Sequence, residues 1–275
     1  TSVSRGLGDV YKRQTVHIGK WHVPGRSLDN SFQLVPHSSH PQGEYGDNLI
    51  ALSFEAFLNN RDKRRPFFAQ IGLMNPHDCG NAARKAKHSF PFEELKHQLP
   101  PYPPNFNYDK REPEFLKKMH NGLIKFTEDW TEENWGHQAW MYYRMVEMVD
   151  ANVGYILSIL ESSSDYENTV LIFSSDHGDA NGYHRMLFKD NFYDTSSKVP
   201  TFVSFPKAFK KGRIDDSHLV SGLDFFPTFC DYAGIKAPDD LKGKSLKPLV
   251  ENTAVQWRKY LHAQSKVQGL SLIHI

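Results

Sequence analysis

The sequence predicts an α/β protein with a mostly parallel sheet and helices on both faces. Its candidate strands, such as residues 67–74 and 169–174, are short and continuously apolar. Runs of this kind are typical of strands that are buried on both faces. Segments with helical spacing alternate with these strands, and this alternation favours a parallel sheet. The length of 275 residues allows one large domain or two smaller ones.

Three segments have the apolar spacing of helices. Residues 45–60 form the first, and the longest, residues 138–161, carries an apolar stripe that includes Tyr142, Val149 and Ile156. Residues 224–233 form the third, which Gly234 closes as a C-cap and in which Pro227 fits the first turn.

Residues 81–134 have a different composition, rich in prolines, charges and aromatic residues. Four prolines stand close together here: Pro100, Pro101, Pro103 and Pro104. This pattern predicts a long excursion over the surface, and long excursions are usually functional or disordered.

The near-neutral charge balance gives no indication of binding to nucleic acid or to an anionic membrane. Thirty-three Lys and Arg residues face 32 Asp and Glu residues, so we expect neither a nucleic-acid partner nor binding to an anionic membrane. No run approaches the roughly 20 apolar residues of a membrane span. Cys79 and Cys230 form no CxxC pair and are too few for a disulfide framework.

Polar residues follow two of the candidate strands. His77 lies just beyond residues 67–74, and Asp176-His177-Gly178-Asp179 follows residues 169–174. The carboxyl ends of parallel strands share one edge of a sheet, where ligands usually bind. A carboxylate beside an imidazole suits a divalent cation, although a turn capped by an aspartate gives the same triplet.

Basic residues supply a candidate anion site. Lys20 and His22 are two positions apart, so in an extended segment both side chains would point the same way and suit a tetrahedral anion. His184 and Lys189 lie within 13 residues of Asp176, in a loop that we expect to return over the same edge. Each of these pieces alone is also typical of a solvated surface.

Taken in order, five segments resemble the motifs of the sulfatase family, in the alkaline-phosphatase-like superfamily. They are Gly19-Lys20-Trp21-His22; Phe67-Phe68 with Pro76-His77; Ser175 to Asp179; Lys189 with Lys198-Val199-Pro200; and Asp224 with Pro227-Thr228, Ala233-Gly234 and Gly243 to Leu246. The family's usual Arg before Val-Pro is Lys198 here. The resemblance covers nearly all of residues 15–250 and implies an alkaline-phosphatase-like fold.

The resemblance also implies roles for individual residues. Lys20, His22, His77 and Lys189 would contact the sulfate and carry the electrostatic part of catalysis, and Asp176 and His177 would bind a divalent cation. Calcium is the expected cation, with Mg²⁺ and Mn²⁺ as alternatives. His184 would either meet the substrate or have a structural role.

Further expectations concern partners and compartment. The substrate would be a sulfated small molecule or, by preference, a sulfated polysaccharide. The parent protein would be modified by a formylglycine-generating enzyme, because the family's nucleophile is a formylglycine made from Cys or Ser in a C/S-x-P-x-R motif. By the same resemblance the parent protein would be periplasmic or extracellular.

No C/S-x-P-x-R motif occurs in the sequence, and the family's early pair of metal-binding aspartates also has no match. We expect both upstream of this chain and therefore expect the chain alone to be inactive. Residues 1–14 and 271–275 resemble translated linker sequence. Residues 15–250 would be a partial catalytic domain, and residues 251–270 the start of a C-terminal region.

Two alternatives stay open at this point. A phosphodiesterase or phosphonate hydrolase of the same superfamily would use similar metal and lysine positions. A catalytically dead protein that binds sulfated glycans would share the fold but lack the upstream motif in its gene.

Overall fold

The computed structural model describes residues 13–23, 25–28, 31–38, 43–114, 116–118, 126–189, 191–209, 212–263 and 273–274. Its strands are β1 (Gln14–Gly19), β2 (Leu34–Ser38), β3 (Phe67–Gly72), β4 (Leu171–Phe173), β5 (Phe202–Ser204), β6 (His262–Ala263) and β7 (Ile273–His274). Its α-helices are α1 (Gly43–Asn60), α2 (Cys79–Ala86), α3 (Glu132–Glu161), α4 (Asp194–Ser197), α5 (Phe225–Ala233) and α6 (Lys247–Val250). None of the described helices is apolar over a length that would cross a bilayer.

A three-stranded parallel sheet lies at the centre, in the order β2-β1-β3. β1 pairs with β3 along its whole length, from Gln14 opposite Phe67 to Gly19 opposite Gly72. All six residues of β1 are buried, which is the pattern of a strand covered on both faces. The predicted α/β class with a parallel sheet is therefore confirmed. Gln14, in the stretch that resembles linker sequence, is the first residue of β1.

The strand predicted at residues 169–174 forms β4, but it does not extend the parallel sheet. Within the described ranges β4 pairs antiparallel with β5, with Ile172 opposite Val203. In the described residues of the connection between them, 174–189 and 191–201, no α-helix is longer than the four residues of α4. Parallel strands are usually joined through a helix, and this connection lacks a long one, which agrees with the antiparallel pairing.

Helices α1 and α3 pack together against the parallel sheet. Their shared core contains Ile50, Phe54 and Leu58 of α1, Ile156 and Leu160 of α3, and Val16 and Ile18 of β1. The predicted helix at residues 45–60 is confirmed as α1. Helix α3 begins six residues before residue 138, because Thr131 and Asn134 form a capping box.

The excursion at residues 81–134 is not a bare loop, since it holds most of α2 and a 3-10 helix at Glu93–Gln98. Ala83, Ala86 and Trp130 of the excursion form a second buried cluster with Trp135 and Leu187. The rings of Trp130 and Trp135 meet edge to face at 4.9 Å. This cluster fixes Leu187, and so fixes the loop that leads to Lys189.

Candidate active site

Lys20 is presented by the turn that ends β1. Gly19 has a φ of 101°, and a Cβ added to it would lie 2.1 Å from the carbonyl oxygen of Gly72. Only glycine fits such a position without strain. The backbone N–H of Lys20 donates to that oxygen at 2.7 Å. Lys20 is therefore held at the carboxyl ends of both β1 and β3.

His77 lies in the turn between β3 and α2. Its backbone N–H donates to the carbonyl of Met74 at 3.0 Å. Burial lowers the pKa of His77, and the ammonium groups of Lys20 and Lys189 lower it further. The imidazole is therefore neutral at pH 7 and faces two cations.

Asp176 emerges from the end of β4 into the same positive field. Its side chain keeps 69% of its surface exposed, yet partial desolvation by the surrounding protein acts to raise its pKa. The charges of Lys20 and Lys189 and the backbone N–H of His177 act against that effect, and the pKa of Asp176 lies below its usual value. The aspartate is thus ionised in the site at neutral pH.

The hydrogen bonds of His177 define its tautomer. Nδ1 lies 2.8 Å from the carbonyl oxygen of Gly178 and must carry the proton, because a carbonyl only accepts. Nε2 lies 2.8 Å from the Lys189 ammonium, which only donates, so Nε2 is the acceptor. Nε2 also lies 3.4 Å from Oδ2 of Asp176.

Asp176 and His177 fit the predicted cation by their chemistry. A carboxylate oxygen and an imidazole lone pair 3.4 Å apart are close enough for one divalent ion to bind both. In the described part of the chain, however, no group of three or more His, Cys, Asp or Glu side chains could hold a metal. The pair would supply two ligands, and Lys189 would have to leave Nε2.

The structure thus joins five of the seven predicted site residues: Lys20, His77, Asp176, His177 and Lys189. Asp176 and Lys189 both act on the pKa of Lys20, which burial lowers. The carboxyl ends of β1 and β3 and the loop after β4 supply the five side chains. They form one cluster even though β3 and β4 belong to different sheets.

His22 and His184 are not joined to this cluster. His22 is exposed, and among the described residues it makes no hydrogen bond or ion pair. The ring of His184 stacks on Tyr193 at 3.8 Å, and its Nε2 lies 3.2 Å from Nδ2 of Asn105. Its Nδ1 lies 3.8 Å from Oε1 of Glu112.

His184 stands beside a separate cavity of about 320 Å³. The cavity is lined by Asp109, Arg111, Glu112, Pro113, Leu116 and Tyr193. The hydroxyl of Tyr193 donates to Glu112 at 2.5 Å. These contacts tie the loop of His184 to the excursion at residues 81–134.

No role was predicted from the sequence for two carboxylates near the site, Asp179 and Asp47. Asp179 accepts from the N–H of Asn181 at 2.8 Å and from the thiol of Cys79 at 3.5 Å. Burial raises the pKa of Cys79 to about 12, and Asp179 contributes to the rise. Asp47 on α1 accepts from two N–H groups after β3. An acidic residue near a helix start was its only sequence signal.

Fold and site together define an α/β protein with two lysines, two histidines and an aspartate clustered at its strand ends. A family model for sulfatases matches residues 4–235. An N-acetylglucosamine-6-O-sulfatase of Bacteroides thetaiotaomicron is 27% identical over 90% of this chain and 58% of its own length. An arylsulfatase of Clostridium perfringens is 30% identical over 82% of this chain and 47% of its own length. The chain belongs to the sulfatase family.

The fold agrees with this assignment. The solved structure of a 2-O GAG sulfatase matches with a TM-score of 0.78 and 25% identity, over 94% of this chain and 59% of that one. The chain spans about half the length of the curated relatives it matches. These similarities are consistent with the predicted alkaline-phosphatase-like superfamily.

Proposed function

We propose that the protein to which this chain belongs hydrolyses sulfate esters, and that the cluster of Lys20, His77, Asp176, His177 and Lys189 binds the sulfate and its cation. The convergence of two lysines, a neutral histidine and a two-ligand cation site supports the proposal most directly. Membership in the sulfatase family adds to it. His22 would join the sulfate contacts from the exposed segment after Lys20.

The two lysines would act on the charge of the sulfate group. Preorganised donors of this kind are worth about 2.7–4 kcal/mol each in the transition state. A bound anion would also reverse the effect of the lysines on His77, because a negative neighbour raises the pKa of an imidazole. His77 could then carry a proton to the leaving alcohol.

The cation would add a second contribution. A divalent ion, with Ca²⁺ as the expected one, would polarise a sulfate oxygen as a Lewis acid. Asp176 and His177 would hold it, while Lys189 would turn from Nε2 of His177 to the sulfate. The nucleophile, a formylglycine by family resemblance, has no C/S-x-P-x-R match in this sequence.

The proposed substrate is a sulfated saccharide. One relative is named as an N-acetylglucosamine-6-O-sulfatase, and the matching solved structure is of a 2-O GAG sulfatase. The excursion at residues 81–134, with its aromatic residues and the cavity beside His184, would form the rim around the sugar.

Titration with inorganic sulfate tests the anion site without turnover. Lys20→Ala and Lys189→Ala should each weaken binding about 10- to 100-fold, because each removes one charged donor. Lys198→Ala is the matched control, since Lys198 is 74% exposed and pairs with Asp194 instead. Calorimetry measures the affinities. Equal sulfate affinity in the wild type and Lys189→Ala would contradict the anion site.

Turnover tests the enzyme as a whole. An upstream segment from a relative, carrying the aspartate pair and the C/S-x-P-x-R motif, is joined ahead of β1 and matured by a formylglycine-generating enzyme. We expect hydrolysis of 4-nitrophenyl sulfate with calcium, and its loss in Lys189→Ala. Robust turnover by the unextended chain would refute the proposal, and faster cleavage of a phosphonate monoester or phosphodiester would favour that alternative.

A further inference from the structure

Two carboxylates outside the proposed chemistry hold the turn that carries His77. Asp47 has no exposed surface. Its Oδ1 accepts from the N–H of Met74 at 2.7 Å, and its Oδ2 accepts from the N–H of Asn75 at 3.0 Å. Asp78, next to His77, accepts from the N–H of Gly43 at 2.7 Å. The two links run in opposite directions between α1 and residues 74–78.

The start of α1 is shaped for these links. Gly43 opens the helix, and a Cβ added to it would lie 2.6 Å from Cγ of Asn75. The first N–H groups of a helix have no partner within it and favour a negative charge, which Asp78 supplies to Gly43. A buried carboxylate is costly without hydrogen bonds, and Asp47 obtains two from the backbone after β3.

We propose that Asp47 and Asp78 form a reciprocal clamp that positions His77 against the sulfate. The inference rests on the proposed role of His77 in binding that anion. The clamp fixes the backbone at Met74, Asn75 and Asp78, so it brackets His77 on both sides. The turn bond from the His77 N–H to the Met74 carbonyl closes the bracketed segment. Both carboxylates act through the backbone and are positioning residues.

The test uses the full chain, inorganic sulfate, and the NMR signals of the His77 imidazole. Asp47→Ala should weaken sulfate binding at least about tenfold and change the His77 signals, because supporting residues of this kind carry effects of about that size. Asp47→Asn keeps one acceptor oxygen and should give a smaller loss. Asp78→Asn should also move the His77 signals.

Asp224→Asn is the matched control for stability. Asp224 is equally buried and also accepts from two backbone N–H groups, those of Ser221 and Lys244, but it contacts none of the five clustered site residues. This variant should lose stability and keep both its sulfate affinity and its His77 signals. A weakening of sulfate binding in Asp224→Asn as large as in Asp47→Ala would overturn the proposal.

Amide hydrogen exchange at Met74 and Asn75, measured without sulfate, separates this inference from the proposed function. Both amides should exchange faster in Asp47→Ala than in the control. If amide exchange and the His77 signals in Asp47→Ala match those of the wild type, the clamp is wrong, whatever the sulfate affinity of that variant. If the wild type binds no sulfate, the anion site is wrong, and faster exchange with altered His77 signals still supports positioning.

Discussion

His17 lies beneath the segment that carries Lys20, with none of its surface exposed. Its ring meets those of Trp21 and Phe32 at centroid distances of 5.2 Å, and its Nε2 lies 3.2 Å from the carbonyl of Gly19. Burial lowers the pKa of His17 below its ordinary value of 6.5. The folded protein therefore keeps this imidazole neutral as the pH falls, while the unfolded chain takes up a proton.

Because the unfolded state binds more protons below pH 6.5, the free energy of unfolding should fall as the pH is lowered through that value. This loss arises because His17 is neutral in the folded state and protonated in the unfolded state. His17→Gln should flatten this dependence, although His77 and His137, whose pKa values burial also lowers, retain part of it. Urea unfolding at pH 8 and pH 5 measures the change. His22→Gln provides the exposed control, and an equal pH dependence in wild type and His17→Gln would contradict the prediction.

At the scale of elements, neither the burial of β1 nor the contact at its end could be predicted from its own sequence pattern. In β1, polar and apolar residues alternate from Thr15 to Ile18, which is typical of a half-exposed strand, yet the strand is buried at every position. Neighbouring elements bury the polar residues of β1, and the sequence of β1 alone does not identify those elements. The contact between Gly19 and Gly72 joins positions 53 residues apart in the sequence numbering, so only the fold shows it.

Gly19→Ala and Gly154→Ala should shift stability in opposite directions. Gly19→Ala places a Cβ against the Gly72 carbonyl at a positive φ and should cost about 1–3 kcal/mol. Gly154 lies within α3, and nothing is found within 4 Å of an added Cβ. Gly154→Ala should therefore raise stability by about 0.5–1 kcal/mol. Denaturant unfolding measures the change in the free energy of unfolding for each variant. Stabilisation by Gly19→Ala would contradict the close approach of Gly19 to Gly72 at a positive φ.

At the scale of the whole molecule, a buried ion pair connects residues on both sides of position 250. Arg258 donates to both oxygens of Asp224, at 3.0 and 2.6 Å, and Asp224 has no exposed surface. Asp224 also receives the N–H groups of Ser221 and Lys244. Arg258, which lies in the stretch predicted as the start of a C-terminal region, therefore contacts the preceding part of the chain.

Arg258→Ala should cost about 3–5 kcal/mol, because it leaves a buried charge without its partner. Lys236→Ala is the control, since it removes an ion pair with Asp239 in which both side chains are more than 80% exposed, and it should change stability by less than about 1 kcal/mol. Urea unfolding compares the two variants. Equal losses in both would contradict a structural role for the buried pair.

The sequence predicted the α/β class, α1, α5 and its Gly234 cap, because these depend on local spacing. Gly234 indeed has a φ of 70°. Ordered motifs predicted the five residues that the structure brings together. The antiparallel pairing of β4 with β5 was not predicted, and neither were the contacts of Asp47 and Asp78 around His77. Both depend on contacts between segments far apart in sequence. The places of His22 and His184 outside the cluster could not be predicted for the same reason.

Three of the five tryptophans lie close to the lysines of the proposed site. Trp21 follows Lys20 directly and donates its indole N–H to the carbonyl of Arg26 at 3.0 Å. Trp130 and Trp135 pack with Leu187, two positions before Lys189. Both lysines of the proposed sulfate site are thus linked by a few bonds or contacts to an indole. The intrinsic fluorescence of the unlabelled chain is therefore suited to follow anion binding in real time, with no chromophore added and no turnover needed.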